Sequence, residues 1–499
     1  MSPAPPPRRP SRNMPAVIRV SDAQRPAKTS SLVSSDSDSD EEPLRRYVPG
    51  GYHPVCIGDD LGGAYRILRK LGWSARSTVW MVENRIDGTL ASLEVLTATA
   101  TASTGHTTLG LLRRIRAFPD DPGYPHIAHL HAHFYVSGPH GRHLCLVSDL
   151  VAQPVAALMA RSPRHRIPPT LVRTIVKQAA RALGYLHRCG VLYTGAPFPR
   201  PSPVHARNIT PSLRIKPDVR ATALAFVLPP HIDKWALLCD TAHRHSTTHR
   251  GPTGARITRF QTQRIPYIMP AAGEAAWGDL RVKLVDVGAA ACWLDPLLLE
   301  RPDVVRSTAL RPPELYADVP DWGPPVDVWG LGCLAFELAL GRSLVPIGTD
   351  AFSVPYLHVL QLGPYPPALL DRARVQPFPS PPLLTRVLTA RTTHRVSLLR
   401  TAHALGPRFA SFLETALTLD PADRPRIRDL LAHPWFADEG ALDRGIGAHG
   451  LSEERGESGT FYGEPEACTV RLVPPRLEHG PEECGLLPMV EGRNVRSRA

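Results

Sequence analysis

A chain of 499 residues, 43% of them hydrophobic, can bury a core large enough for a two-lobed domain with tails, and its 54 prolines mean that not all of it folds. The formal charge is +12, yet only six of the 58 basic residues are Lys and no basic cluster is interleaved with aromatics, which argues against direct nucleic-acid binding. The eight cysteines lie singly, without a C-x-x-C, and no apolar run is long enough to span a bilayer. A disulfide framework, a zinc ribbon and a membrane span are therefore not expected, and an intracellular setting, cytoplasmic or nuclear, is.

Residues 1–44 are rich in Pro, Ser and Arg and end in a run from Ser34 to Glu42 that alternates Ser with acids. Such a stretch buries too little apolar surface to fold alone and reads as a solvated tail; the alternative is a phosphorylation site for an acid-directed kinase. From Tyr65 to Leu96, alternating apolar runs flank a turn at Gly72 and a second at Asp87-Gly88, which predicts a β-rich meander. Val172, Ile175, Val176, Ala179, Leu183 and Leu186 fall at helical spacing after Pro168. In the polar stretch 209–281, Cys239, His243, His245 and His249 meet no metal-ligand spacing and read as a solvated loop.

An apolar strand, Val282 to Val285, then runs into Asp286-Val287-Gly288. Pro312-Pro313-Glu314 follows, and from Val326 to Leu340 apolar residues lie all round the helical period, which predicts a helix through the core. Asp327 near its start is a carboxylate that needs partners once buried, and backbone N–H groups of a neighbouring loop are expected to supply them. Asp420-Pro421-Ala422-Asp423-Arg424-Pro425 and His433-Pro434-Trp435-Phe436 come later. Residues 437–499, with 12 acidic and 7 basic residues, form a tail of net charge −5 that is expected to be disordered.

The Pro-Pro-Glu with its downstream Asp-Val-Trp-Gly helix and late Asp-Pro-x-x-Arg-Pro resembles the end of a protein-kinase activation segment and what packs on it. Gly50-Gly51-Tyr52-His53, Lys70-Leu71-Gly72-Trp73 and the Ser137–Val147 strand pair are similar to the SR-protein-specific Ser/Thr kinases, in particular their expanded fungal branch. The resemblance covers about 45–436. It implies an α+β, two-lobed protein-kinase-like fold with a small β-rich N-lobe (about 45–148) and a larger, mainly helical C-lobe (about 149–436) carrying inserts at 195–204 and 209–281.

The same resemblance implies Mg·ATP as cofactor. It places Leu71, Gly72, Ser74, Val79 and Asp149 around the nucleotide, Asp286 and Asn208 on the metal, and Glu314, Asp327 and Arg424 in the scaffold, with an Arg/Ser-rich protein as substrate or a protein as partner. Several positions depart from the pattern. The slot of the phosphate-gripping Lys holds Glu94, and a carboxylate about 4 Å from a phosphate charge is unfavourable by roughly 4 kcal/mol at an effective dielectric of 20. No acid occurs between Val95 and Pro119, where the partner of that Lys belongs, and Leu111 sits near the expected place. Ser74 replaces a Gly of the phosphate loop, and Arg76, replacing an aromatic, reads as a solvated side chain or one that reaches a phosphate.

The catalytic loop is entered through Cys189 to Thr194 and left through His205 to Ile209, but between them runs Gly195 to Val204, and no carboxylate occurs from Leu150 to Pro217. The catalytic Asp slot near Gly195 or Pro203 is vacant, so a pseudokinase acting as a binding or scaffold module is expected, with weak or no Mg·ATP binding. The alternative is an active Ser/Thr kinase in which 195–204 is a translated intron end, and a third reading is a decaying gene copy without a role.

Overall fold

The computed structural model describes residues 41–193, 220–228, 246–266, 280–292, 308–320, 322–375 and 405–437. The first compact region is a six-stranded sheet of β1 (Asp60–Leu61), β2 (Tyr65–Trp73), β3 (Ser77–Asn84), β4 (Leu90–Leu96), β5 (Leu130–Gly138) and β6 (Gly141–Ser148), in the order β1-β2-β3-β4-β6-β5. Its alternation sorts the side chains. Ala91, Leu93 and Val95 of β4 enter one cluster with Trp80 and Val82 of β3, while Met81, Leu96 and Leu146 enter the core shared with the helices. Asp87 closes the β3–β4 turn by accepting from Thr89 N–H at 2.9 Å. Helix α1 (Ala98–Arg114) crosses beneath, its N-terminus capped by the Thr97 hydroxyl.

The second region is mainly helical: α2 (Val155–Arg161), α3 (Pro169–Arg188), α4 (Pro313–Tyr316), α5 (Pro325–Leu340), α6 (Ser353–Leu362), α7 (Pro367–Asp371), α8 (Pro407–Ala416), α9 (Ile427–Leu430) and α10 (Pro434–Ala437). Helix α5 is buried on every face except at Glu337, as its unbroken apolar composition requires. It ends at Gly341, which has φ +70°; a Cβ there would lie 2.2 Å from the Arg164 carbonyl, so glycine is required on both counts. Short strands β7 (Val151–Pro154), β9 (Leu224–Val227) and β12 (Val282–Leu284) pair antiparallel in the order β12-β9-β7, and β8 (Val191–Leu192) pairs with β13 (Ala291–Cys292). Among the described residues no helix is long and apolar enough to cross a membrane.

Two parts of the chain are organised differently from what the sequence led us to expect. The stretch 209–281 is not wholly loop: besides β9 it holds a hairpin of β10 (Ser246–Arg250) and β11 (Arg256–Phe260), paired from Ser246↔Phe260 to Arg250↔Arg256. That hairpin packs on the N-terminal region, with Ile257 against Tyr47 and Tyr52 and Phe260 edge-on to Trp80 at 6.0 Å. His249, on β10, is an exposed strand residue; Cys239, His243 and His245 lie outside the described residues. Glu42, assigned to the solvated tail, is 1% exposed, accepts from Tyr47 Oη at 2.5 Å and is ion-paired with the buried Lys70. The tail therefore gives way to folded chain before residue 45.

Candidate active site: the cleft between the lobes

The scaffold of the site is built from complete charge pairs. Glu314 and Arg424, both fully buried, meet through two parallel hydrogen bonds of 2.7 and 2.6 Å, and Arg424 also donates to the carbonyls of Thr418 and Pro325. The bidentate fork and the carbonyls satisfy the guanidinium almost completely, which is what permits it to sit without water. Asp327 Oδ2 accepts from the Tyr193 N–H at 3.0 Å and from His187 Nε2 at 2.8 Å. It thus ties the end of α3 to the residue after β8 through one oxygen, while Oδ1 is buried without a hydrogen-bond partner among the described residues. Tyr193 Oη in turn donates to the Val285 carbonyl at 2.6 Å, coupling this loop to the strand that delivers Asp286.

Asp286 follows β12 with φ +58°, a left-handed conformation that costs a non-Gly residue energy and turns the carboxylate out of the strand. Its side chain is exposed to the cleft by area although protein crowds it on several sides. Partial desolvation first, and the Glu94 carboxylate second, push its carboxyl up to about 6, against the pull of the Arg264 guanidinium. Glu94 is therefore near enough for its charge to act on Asp286. Its register explains why: Glu94 lies opposite Val79 on β3 and Leu146 on β6, on the face of the sheet away from the Trp80 cluster. The cleft brings two like charges together.

The turn between β2 and β3 is closed on itself. Ser74 Oγ accepts from the N–H groups of Arg76 at 3.0 Å and Ser77 at 3.1 Å, and Ser74 N–H donates to the Ser77 carbonyl at 2.8 Å. These are backbone donors of the kind a phosphate loop offers its ligand, so Ser74 both fills space and consumes donors. Gly72 precedes the turn with open space where a Cβ would be, and Leu71 packs on the larger core. Arg76 is neither solvated nor turned to the cleft mouth; its guanidinium hydrogen-bonds Thr104 on α1.

Asp149 ends β6, but its carboxylate is engaged in structure. It accepts from His129 N–H at 2.9 Å, His131 Nε2 at 2.8 Å and Lys283 Nζ at 2.6 Å. Burial opposes its charge, yet the bonds from His131, Lys283 and the His129 amide outweigh that and hold the carboxyl well below the usual range. The side chain expected beside the nucleotide instead fastens β5 to β12. On α1, Leu111 enters the shared core, and it is Thr108 that reaches the Asp286 loop, donating to the Gly288 carbonyl at 3.3 Å. Neither carries a charge. Lys70 Nζ is committed to Glu42 and, at 3.0 Å, to the Phe260 carbonyl. Asn208, Gly195 and Pro203 lie outside the described residues.

Sequence reasoning missed three functional contributors: the Ser74 donor sink, Lys70–Glu42, and Arg264, which stands near Asp286 although it comes from the insert. Ser-x-Arg-Ser at the turn is the one local signal that a hydroxyl would cap those amides.

The chain is similar to known protein kinases. The family model of the protein kinase domain matches residues 274–436. A serine/threonine-protein kinase SRPK of Physarum polycephalum is 26% identical over 420 residues, which are 80% of this chain and 92% of that protein. SRSF protein kinase 3 of Homo sapiens is 34% identical over 177 residues, 34% of this chain and 30% of that protein. A solved kinase domain superimposes with a TM-score of 0.52 at 16% identity, over 77% of this chain and 98% of the other. The β-rich first region, the helical second region and these matches together make this chain a two-lobed α+β protein kinase fold, with a protein kinase domain similar to the SR-protein kinases.

Proposed function

We propose that this chain is an SR-protein-kinase-like pseudokinase: a binding or scaffold module that does not transfer phosphate. The observation that carries the reading is a carboxylate, Glu94, on the face of β4 away from the Trp80 cluster and within electrostatic reach of Asp286, where the phosphate grip of a kinase needs a cation. The residues of the cleft do not fit Mg·ATP. Two carboxylates with no Lys paired to either of them among the described residues of the cleft repel the phosphates that one metal ion must share with them, and the β2–β3 turn spends its amides on Ser74. Positioning and charge neutralisation are nearly all that phosphoryl transfer asks of a protein, and parts that act as one unit do not substitute for one another.

The partner we assign is an Arg/Ser-rich protein segment, on the strength of relatives described as SRSF protein kinases, and the setting is intracellular. The folded domain we assign spans about 41–436. Thermal unfolding of the full chain with and without Mg·ATP, beside the Glu94→Lys variant, tests this: no shift in the parent and a clear shift in the variant are expected. A clear shift in the parent sinks it. The second reading, an active Ser/Thr kinase, is favoured by the intact Asp286 turn and by kinase relatives along 80% of the chain. It requires a transcript in which residues 195–204 are replaced by sequence that restores the catalytic Asp, which the intact mass of the natural protein decides, a basic residue doing the work of the missing Lys, and phosphate transfer to an Arg/Ser peptide by that product.

A further inference from the structure

The β10–β11 hairpin continues into a run that belongs to neither lobe. The Phe260 carbonyl accepts from Lys70 Nζ at 3.0 Å, and the Gln263 N–H donates to the Lys70 carbonyl at 2.9 Å, so the chain lies along β2 just ahead of Leu71 and Gly72. Beyond Arg264, the Ile265 carbonyl accepts from the Gln153 N–H on β7 at 2.8 Å, and Ile265 is 1% exposed within the core of the helical lobe. Between Phe260 and Ile265 the chain therefore passes from the strand that roofs the cleft to the strand that follows its hinge, and it is fastened to both. Arg264, held between the two anchors, keeps an exposed side chain whose charge acts on Asp286.

We propose that residues 260–266 form a latch in cis, tied to the strand ahead of Leu71 and Gly72 and to the strand after the hinge, so that a nucleotide enters only when the latch lets go, with the exposed Arg264 between the anchors adding a cation near Asp286. The inference deepens the pseudokinase reading and rests on it for the identity of the cleft. Two features make the latch more than a passing loop. Its anchors lie on different lobes, so the lobes cannot part without breaking backbone hydrogen bonds and exposing Ile265. Its cation also acts on Asp286, whose place a metal ion and a Lys share in the kinase pattern. Restoring a Lys at position 94 would thus repair the grip only in part, since the latch must still open before a nucleotide enters, and binding is expected to tighten further when the latch is removed.

The test uses the full chain and two readouts, amide hydrogen exchange at Gln153 and Gln263 and titration with a fluorescent ATP analogue in Mg²⁺. The variants are Arg264→Ala, Gln263→Pro, which deletes the N–H that holds β2, Glu94→Lys, and Glu94→Lys with each of the others. In the parent, both amides are expected to be protected. Gln263→Pro should speed exchange at Gln153 at least tenfold, and adding it or Arg264→Ala to Glu94→Lys should tighten nucleotide binding at least tenfold over Glu94→Lys alone. Arg264 is exposed, so its variant keeps the test alive if the proline variant does not fold. Unprotected amides in an inactive parent, or equal binding by Glu94→Lys with and without the latch changes, overturn the latch alone. Weaker binding on Arg264→Ala overturns it in favour of a phosphate grip. Phosphate transfer by the parent overturns the pseudokinase reading, and with it the exclusion of nucleotide.

Discussion

The base of the helical lobe and the cleft above it treat charge in opposite ways. Below, Arg424 faces Glu314 through two hydrogen bonds, and Asp327 receives two donors, His187 of α3 and the Tyr193 N–H after β8. Above, the charge of Glu94 acts on another carboxylate, and the cation acting on it comes from an insert. A buried pair is required by the fold itself, since a lone partner would be an unpaired charge in the core. A cleft carboxylate that is open to solvent has no such penalty. Substitutions that ruin phosphate binding are therefore tolerated by stability where the same reversal at Glu314 would not be.

Acid should break this comparison most widely. Burial depresses His53 and His126 to about 4 and His358 to about 3, with neighbouring His53–His143 and His358–Arg424 repulsion adding to the burial. A base with a lowered folded value takes up its proton more readily when unfolded. The associated stability is full above pH 6.5 and is lost as pH falls towards 4, at about 3 kcal/mol for a group shifted by 2.5 units. Asp286 runs the other way: its raised carboxyl, at about 6, costs the folded state at neutral pH and the cost is relieved as pH falls through 6. Denaturation midpoints from pH 7.5 to 4.5 should fall steeply, and more steeply still in Asp286→Asn, which lacks the compensating group. An unchanged slope in that variant would argue that burial and Glu94 together do not raise the Asp286 carboxyl.

Arg424→Ala should lose about 3–5 kcal/mol in chemical denaturation, because Glu314 is left buried without a partner. The double change Glu314→Leu with Arg424→Met should lose less than the single one. If it loses more, hydrogen bonds to the Thr418 and Pro325 carbonyls matter more than the pair. Glu94→Lys should leave stability without ligand within about 1 kcal/mol, as a half-exposed position on the cleft face permits. Combined with Arg264→Ala, it should gain about 2.7 kcal/mol when Mg·ATP is present at a hundredfold excess over its dissociation constant. The smallest effect belongs to Ser74→Gly, which frees the Arg76 and Ser77 amides at a stability cost of about 1 kcal/mol. In the Glu94→Lys background it should tighten nucleotide binding several-fold, measured by the same titration; no change would mean that those amides never face a phosphate.

The two regions were also unequally legible from the residues. Helix α5 announces itself through an apolar composition that only a buried helix can use, and Glu314 and Arg424 stand in short motifs whose order is specific. The strand register of β4, and with it the direction of Glu94, follows from strict alternation of Ala91, Leu93 and Val95. The insert hides its role because β10 is exposed along its whole length and β11 anchors through little more than Ile257 and Phe260, too few apolar positions to set a period. Glu42 is hidden for the opposite reason. An acidic residue after a run of Ser and Asp looks solvated until the buried Lys70 that needs it is seen.

The docking of Phe260 on Lys70 spans 190 positions, and the contact of Arg259 with the Glu42 carbonyl spans 217. During synthesis the first sheet can form its hairpins early, since β2–β3, β3–β4 and β5–β6 are local, and Lys70 has Glu42 at hand, but the Phe260 carbonyl on Lys70 and Ile257 on Tyr52 come much later. The N-terminal lobe is thus not an autonomous folding unit. A nascent chain that stops before residue 260 leaves a buried-type lysine and an open strand edge exposed to chaperones, and completion of the insert is the step that commits both halves of the protein at once.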